Sequence, residues 1–168
     1  MDTSPLPTDR IWFVAHTRPR CEKKLVQYCE RENVSTTLPC YRSVRKYRGK
    51  KVVFLKPLFP GYVFLQIESV LRQKVYQSDY VANLLEVTDQ ALFQQQLDDI
   101  LSALETDIEI RLEPEIREGC RVRIKSGPLR GMEGWVQHRS GMMQVLLRLD
   151  FIAQAAAVKV EASDLELA

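Results

Sequence analysis

The sequence Pro57-Leu-Phe-Pro-Gly-Tyr-Val-Phe64 decides the fold of the first part of the chain. It is an apolar run interrupted by two prolines and one glycine, and further apolar residues follow it. The near-continuous apolarity from Tyr62 to Ile67 predicts a strand in the centre of a sheet. Side chains alternate along a strand, so Tyr62 and Phe64 share one face while Val63 and Leu65 share the other. From the residues alone, either pair could be the buried one.

The residues before this strand predict a strand, a helix and a hairpin. Ile11–Ala15 is aromatic and β-branched, as is typical of a buried strand. From Pro19 to Asn33 apolar residues recur at helical spacing, which predicts a helix with a basic polar face. Two β-rich arms then flank Arg48-Gly49-Lys50 and predict a hairpin. Seven Lys or Arg and no Asp or Glu lie between Tyr41 and Lys56.

The residues after the central strand predict two more helices and a last strand. A short amphipathic helix is expected from Val70 to Val75 and a strand from Leu84 to Val87. A longer helix, capped by Thr88 or Asp89, is expected to reach Leu104. This order predicts an α+β fold with helices on a mainly antiparallel sheet.

A second glycine-rich stretch, from Gly119 to Val136, opens the last part of the chain. It contains short strand-like runs separated by Gly, Pro and Ser, which predict a small β-barrel. Gly131 and Gly134 are expected to supply a positive φ or a close backbone approach. Ala153–Ala157 favours a helix, but the β-branched residues and glycines around it favour the barrel.

These patterns divide the chain into four parts. Residues 1–9 predict a disordered tail, 10–105 an α+β domain, 106–117 a charged linker, and 118–168 a small β-domain.

Charge is distributed unevenly along the chain, although the formal net charge is only +2. Residues 10–60 contain 13 Lys or Arg against 3 Asp or Glu, whereas residues 61–118 contain 4 against 12. Such asymmetry favours a polyanion on one surface and a basic or charge-sensitive partner on another.

The sequence excludes several other classes of protein. Its four cysteines include no Cys-x-x-Cys pair, so we expect no metal and no cofactor. Cys21 and Cys29 lie on one face of the predicted helix and are expected to be small buried residues. His16 and Cys21 lack a third orienting group, so we do not expect an enzyme. Without an apolar run long enough for a bilayer or a signal peptide, the chain is expected to be cytoplasmic. We also expect it to be a monomer.

Both glycine- and proline-containing stretches resemble those of the NusG family of transcription elongation factors. Trp12-Phe-Val14 and Pro57–Phe64 resemble its amino-terminal (NGN) domain, and Glu118–Val136 resembles its KOW domain, an SH3-like barrel. The resemblance implies a factor that binds the clamp of the largest RNA polymerase subunit and acts in antitermination. Pro57-Leu58, together with the glycine-free segment 78–87, resembles specialised paralogues such as RfaH, LoaP and UpxY, which act on selected operons.

The resemblance also implies roles for individual residues. Tyr62, Phe64 and Leu84 would contact the clamp, with Tyr62 and Phe64 on the outward face. Five residues would face the non-template DNA strand, namely His16, Arg18, Arg20, Lys23 and Lys24. The basic hairpin is open to two interpretations, a further basic surface or an exposed solubilising element.

The KOW domain would contact a small-subunit ribosomal protein or the Rho factor. One specialised branch of the family stores this domain as a helical hairpin, but here the barrel is favoured. The alternative function is a ribosome- or RNA-binding KOW protein, a class that lacks the amino-terminal domain.

Overall fold

The computed structural model describes residues 10–113, 119–139 and 142–168. The predicted tail 1–9, part of the predicted linker and residue 118 lie outside these residues. Three α-helices and twelve strands form within them, in the chain order β1 Ile11–Thr17, α1 Glu22–Arg31, β2 Thr36–Thr37, β3 Cys40–Tyr47, β4 Lys50–Pro57, β5 Tyr62–Ile67, α2 Arg72–Tyr76, β6 Val81–Glu86, α3 Gln90–Leu104, β7 Ile110–Glu113, β8 Arg121–Ile124, β9 Glu133–Arg139, β10 Met142–Leu149, β11 Gln154–Lys159 and β12 Leu165–Leu167.

Contacts divide the chain into two compact units, one of residues 1–38 and 60–90 and one of residues 39–59 and 91–168. The domain boundaries expected from the sequence stay a prediction. The first unit contains a four-stranded antiparallel sheet in the order β2-β5-β1-β6. Strand β5 lies between β2 and β1, which confirms its predicted central position.

Helices α1 and α2 cover one face of this sheet and bury its apolar side chains. Val63 and Leu65 of β5 pack in a core cluster with Phe13, with Leu25 of α1 and with Val75 of α2. All five have no solvent exposure. Each such side chain stabilises the fold by about 1.5 to 3 kcal/mol through removal of its apolar surface from water. Val63 and Leu65 are therefore the core pair of the central strand.

The second unit contains the hairpin of β3 and β4, helix α3 and a six-stranded antiparallel sheet. We call β7–β12 the C-terminal sheet, and its strand order is β12-β8-β9-β10-β11-β7. Strand β7 lies in the segment predicted as a linker, and its backbone pairs with β11. The short strand β12 is also absent from the sequence-based prediction.

Two local features of the C-terminal sheet agree with what the sequence predicts for its glycines and for the alanine-rich segment. Gly131 has φ +93°, and a Cβ on Gly134 would lie 2.5 Å from the carbonyl oxygen of Leu146. Residues Ala155–Ala157 are fully buried in β11, where small side chains fit between the strand and its neighbours. The predicted α+β fold with a β-rich C-terminal part is thus confirmed.

Candidate functional site

The second face of the first unit's sheet carries the aromatic residues of β5. In an antiparallel pair, residues directly opposite each other place their side chains on the same face. His16 is opposite Tyr62, and Val14 is opposite Phe64. Tyr62 is half-buried, whereas Phe64 has 0% exposure. Phe64 lies on the predicted face, but the expectation that its side chain is open to solvent is wrong.

Leu84 does not share a face with the two aromatic residues. It pairs with Ala15 in the β1–β6 register and packs in the core cluster under the helices, with 8% exposure. Its neighbour Leu85 pairs with Val14, on the face of Phe64, and is 41% exposed. The pairing register therefore places Leu85, which the sequence prediction missed, where Leu84 was expected.

Tyr62 stacks on His16 at the end of the sheet. Their ring centroids lie 5.2 Å apart, with 23° between the ring planes. Gly61, just before Tyr62, adopts φ +88°, a region that glycine enters without steric cost. Its carbonyl accepts a hydrogen bond from the amide of Thr17 at 2.9 Å, and its amide donates to Oε1 of Glu22 at 2.9 Å. These bonds tie the entry to β5 to both β1 and α1.

Basic side chains follow His16 along the connection from β1 to α1. The side chains of Arg18, Arg20, Lys23 and Lys24 are exposed. Arg18 forms an ion pair with Asp79 at 3.1 Å, and its amide donates to the carbonyl of Tyr80 at 2.8 Å. The chain thus brings the five residues predicted to face DNA to one end of β1 and the first turn of α1.

A cation–aromatic cluster lies on the C-terminal sheet. The guanidinium carbons of Arg148 and Arg121 lie 4.4 Å and 5.7 Å from the ring centroid of Trp135. Glu133 accepts hydrogen bonds from Arg121 and Arg123, each at 2.7 Å. The hydrogen bond from Arg123 is the main reason that the pKa of Glu133 is lowered. No prediction from the sequence concerned this cluster.

Helix α3 contacts the turn that follows β10. Gln96 donates from Nε2 to Oδ2 of Asp150 at 2.9 Å, and the amide of Asp150 donates to Oε1 of Gln96 at 2.9 Å. Phe93 meets Phe151 edge to face, with ring centroids 6.4 Å apart. Paired amide bonds and an aromatic contact make this a specific contact between α3 and the C-terminal sheet.

The cysteines have different environments. Cys29 is fully buried, as predicted, and burial raises the pKa of its thiol to about 11. Cys21 is only half-buried, with its thiol donating to the carbonyl of Pro19 at 3.4 Å. Within residues 10–113, 119–139 and 142–168, no three His, Cys, Asp or Glu side chains form a group that could hold a metal ion. No helix in those same ranges is long and apolar enough to cross a membrane.

Comparisons with known proteins agree with the fold and also identify a family. A family model described as transcription termination factor NusG matches residues 10–101. A solved structure of Thermotoga maritima NusG, reported as showing domain interaction, is similar with a TM-score of 0.52 at 18% sequence identity. That similarity covers 94% of this chain and 97% of the other. No curated protein matches the chain. Because the family model spans more than half of its residues, this protein belongs to the NusG family of transcription factors.

Proposed function

We propose that this protein is a transcription elongation factor that binds RNA polymerase, suppresses pausing and acts in antitermination on selected operons. The observation that supports this most directly is the stacked pair of Tyr62 and His16, next to the basic segment 18–24. The aromatic side chain proposed to contact the polymerase and the cations proposed to contact DNA therefore lie in the same compact unit. Both lie in the part of the chain that the family model matches.

The proposed polymerase contact uses the sheet face opposite the helices. Tyr62 is half-buried on this face, and Leu85 adds an exposed apolar side chain. Because the side chain of Phe64 is fully buried, it would contact the polymerase only in a state in which it is exposed. We replace Leu84 by Leu85 in this proposal, because Leu84 is part of the core under the helices. An aromatic side chain that enters a partner's pocket can contribute about 2 kcal/mol or more to binding.

The proposed DNA contact is electrostatic. Exposed cations such as Arg20 and Lys24 gain affinity from phosphates without reading the sequence. His16 could add stacking on an unpaired base, because planar side chains stack on bases of any identity. The ion pair of Arg18 with Asp79 is largely exposed, so its loss on DNA binding would cost little.

The polymerase contact can be tested by measuring the affinity of core RNA polymerase, without DNA, for single variants. We expect Tyr62→Ala to weaken binding by about 30-fold, as for a hot-spot side chain. Tyr62→Phe keeps the ring and should bind within about threefold of wild type. A folded Tyr62→Ala variant with wild-type affinity would contradict the proposal. The single change is preferred to a double change with Phe64→Ala, since removing a fully buried ring costs about 3 to 5 kcal/mol of stability.

The DNA contact can be tested by charge reversal. We expect Arg20→Glu together with Lys24→Glu to reduce the effect on pausing and to make the remaining effect less sensitive to salt. Lys125→Glu together with Arg130→Glu is the matched control, because both side chains are exposed and lie in the C-terminal sheet region. Equal effects of the two double variants would remove the DNA assignment.

A ribosomal protein or Rho is the proposed partner of the C-terminal sheet. Co-purification of the intact protein distinguishes this reading from the alternative of a ribosome- or RNA-binding KOW protein. We expect recovery of RNA polymerase, whereas recovery of ribosomal subunits alone would favour the alternative.

The proposal that the protein acts on selected operons rests on Pro57-Leu58 and the glycine-free segment 78–87. A gene at the head of a long biosynthetic operon would support it, and a gene beside ribosomal-protein genes would oppose it.

A further inference from the structure

The hairpin of β3 and β4 forms a two-stranded ribbon that pairs with no third strand among residues 10–113, 119–139 and 142–168. We call residues Cys40–Pro57 the basic ribbon. Its eight residue pairs run without a register shift from Cys40↔Pro57 to Tyr47↔Lys50. Arg48 and Gly49 close it with φ of 49° and 79°, as a two-residue hairpin turn requires. At about 3.4 Å per residue the ribbon is about 27 Å long.

Positive charge covers the whole length of the ribbon. Seven Lys or Arg and no acid occur between Tyr41 and Lys56. Six of them are exposed, and none of the six forms an ion pair with another described residue. These are Arg42, Arg45, Lys46, Arg48, Lys50 and Lys51.

Apolar side chains are exposed between these cations on both faces. Tyr47 and Phe54 form an edge-to-face pair, with centroids 6.3 Å apart, and are 50% and 41% exposed. On the opposite face Val44 and Val53 are directly paired, and both are more than half exposed. A purely solubilising hairpin would have little reason to expose so much apolar surface.

The distribution of charge favours a nucleic-acid groove as the partner. A ribbon that lay on an anionic membrane would segregate apolar groups on one face and cations on the other. Here Arg45 lies on the face of Tyr47, while Lys46 and Lys51 lie on the face of Val44 and Val53. Cations on both faces can reach phosphates on both walls of a groove at once.

Among nucleic acids, the shape of the ribbon favours duplex DNA. The major groove of B-form DNA, about 12 Å wide, admits a two-stranded β-ribbon and presents thymine methyl groups to apolar side chains. The major groove of duplex RNA is too deep and narrow for side chains to read. We propose that the basic ribbon binds duplex DNA by lying in its major groove, as a second DNA surface separate from His16 and residues 18–24.

The experiment measures binding of the intact protein to a fluorescent duplex of about 20 base pairs, without polymerase, from about 50 to 200 mM salt. The test variant is Arg45→Gln, Lys46→Gln and Lys51→Gln, and the control is Lys125→Gln, Arg130→Gln and Lys159→Gln. All six side chains are exposed, and both sets remove three charges. We expect the test variant to lose at least about tenfold in affinity at 0.1 M salt, and its log–log salt slope to fall by about 2 to 3. The control should retain the wild-type slope more closely than the test variant does.

Three further arms identify the ligand and the groove. Replacing the cytosines by glucosylated 5-hydroxymethylcytosine fills the major groove and should abolish the contribution of the ribbon. A duplex RNA of the same sequence and vesicles containing phosphatidylserine should bind more weakly than the DNA, and the test variant should lose less affinity for them than for the DNA. The proposal is overturned if the test variant binds DNA like wild type, if glucosylation has no effect, or if the test variant loses as much affinity for RNA or vesicles as for DNA. Because polymerase is absent, Tyr62→Ala should not change the result, so failure here is distinct from failure of the polymerase contact.

Discussion

Gln96 and Asp150 are joined by two hydrogen bonds in opposite directions, which connect helix α3 to the turn after β10. One bond runs from the Gln96 amide to the Asp150 carboxylate, and the other runs from the Asp150 backbone to the Gln96 carbonyl oxygen. Together they fix the start of that turn, because both the side chain and the backbone of Asp150 are held.

Gln96→Ala should therefore lower the free energy of unfolding by about 1 to 2 kcal/mol, since each hydrogen bond contributes about 1 kcal/mol net. Amide hydrogen exchange at residues 150–153 should rise in the same variant. Gln95→Ala is the control, because Gln95 is exposed on the preceding position of α3. Identical stability and exchange in the two variants would show that the bonds do not form in solution.

Leu84 and Leu85 should respond to truncation in opposite ways. Leu84→Ala creates a void in the core under the helices and should cost about 2 to 4 kcal/mol of stability. Leu85→Ala removes a side chain that is 41% exposed and should cost less than about 1 kcal/mol. Chemical denaturation measures both values. If the proposed polymerase contact is right, only Leu85→Ala weakens polymerase binding at a temperature where both variants are folded.

Cys29 should make stability depend on pH under alkaline conditions. Burial raises the pKa of its thiol from 9.0 to about 11, because the thiolate would be desolvated. Between these values the unfolded chain releases the proton and the native protein keeps it. The free energy of unfolding should be independent of this group below about pH 9 and should fall by about 3 kcal/mol as the pH rises to about 11.

The measurement compares wild type with Cys29→Ala across this range, so that the titration of other groups cancels. Cys21→Ala, which removes a half-buried thiol instead, is the control for the loss of a sulfur atom. Parallel curves for wild type and Cys29→Ala would show that the Cys29 thiol is hydrated in the native state.

Gly134→Ala should be among the most damaging single changes in the C-terminal sheet. The added Cβ would lie 2.5 Å from the carbonyl oxygen of Leu146 and 2.6 Å from Cγ1 of Val145, so strands β9 and β10 would have to move apart. We expect a loss of at least about 3 kcal/mol, as for an overpacked core. Gly127→Ala has φ +90° but open space around the new Cβ, and should cost only about 1 kcal/mol from backbone strain. Similar melting temperatures for the two variants would refute the steric argument.

The sequence predicted strand β5 to the residue, and it did so because apolarity along a central strand is a local signal. Alternation likewise placed Val63 and Leu65 on a face opposite to that of Tyr62 and Phe64. The burial of Phe64 could not be predicted in this way. Exposure depends on residues distant in the chain that pack against the side chain, and alternation contains no information about them.

The position of Leu84 under the helices could not be predicted for a different physical reason. Two consecutive leucines fit either face of a strand, and the choice depends on the register of β6 with β1. A register irregularity between His16 and Thr17 interrupts that pairing. Strand β7 was missed because its mixed charged and apolar residues resemble a linker, while its stability comes from backbone bonds to β11.

The pairing of β7 with β11 sets the length of free tether between α3 and the C-terminal sheet. Helix α3 ends at Leu104 and β7 begins at Ile110, so about five residues span at most about 17 Å. If the four residue pairs of β7 opened, the nine residues 105–113 would be released from β11 and could span about 31 Å. The edge strand β7 thus limits how far the C-terminal sheet could separate from α3, once the contacts of α3 with Asp150 and Phe151 were also broken.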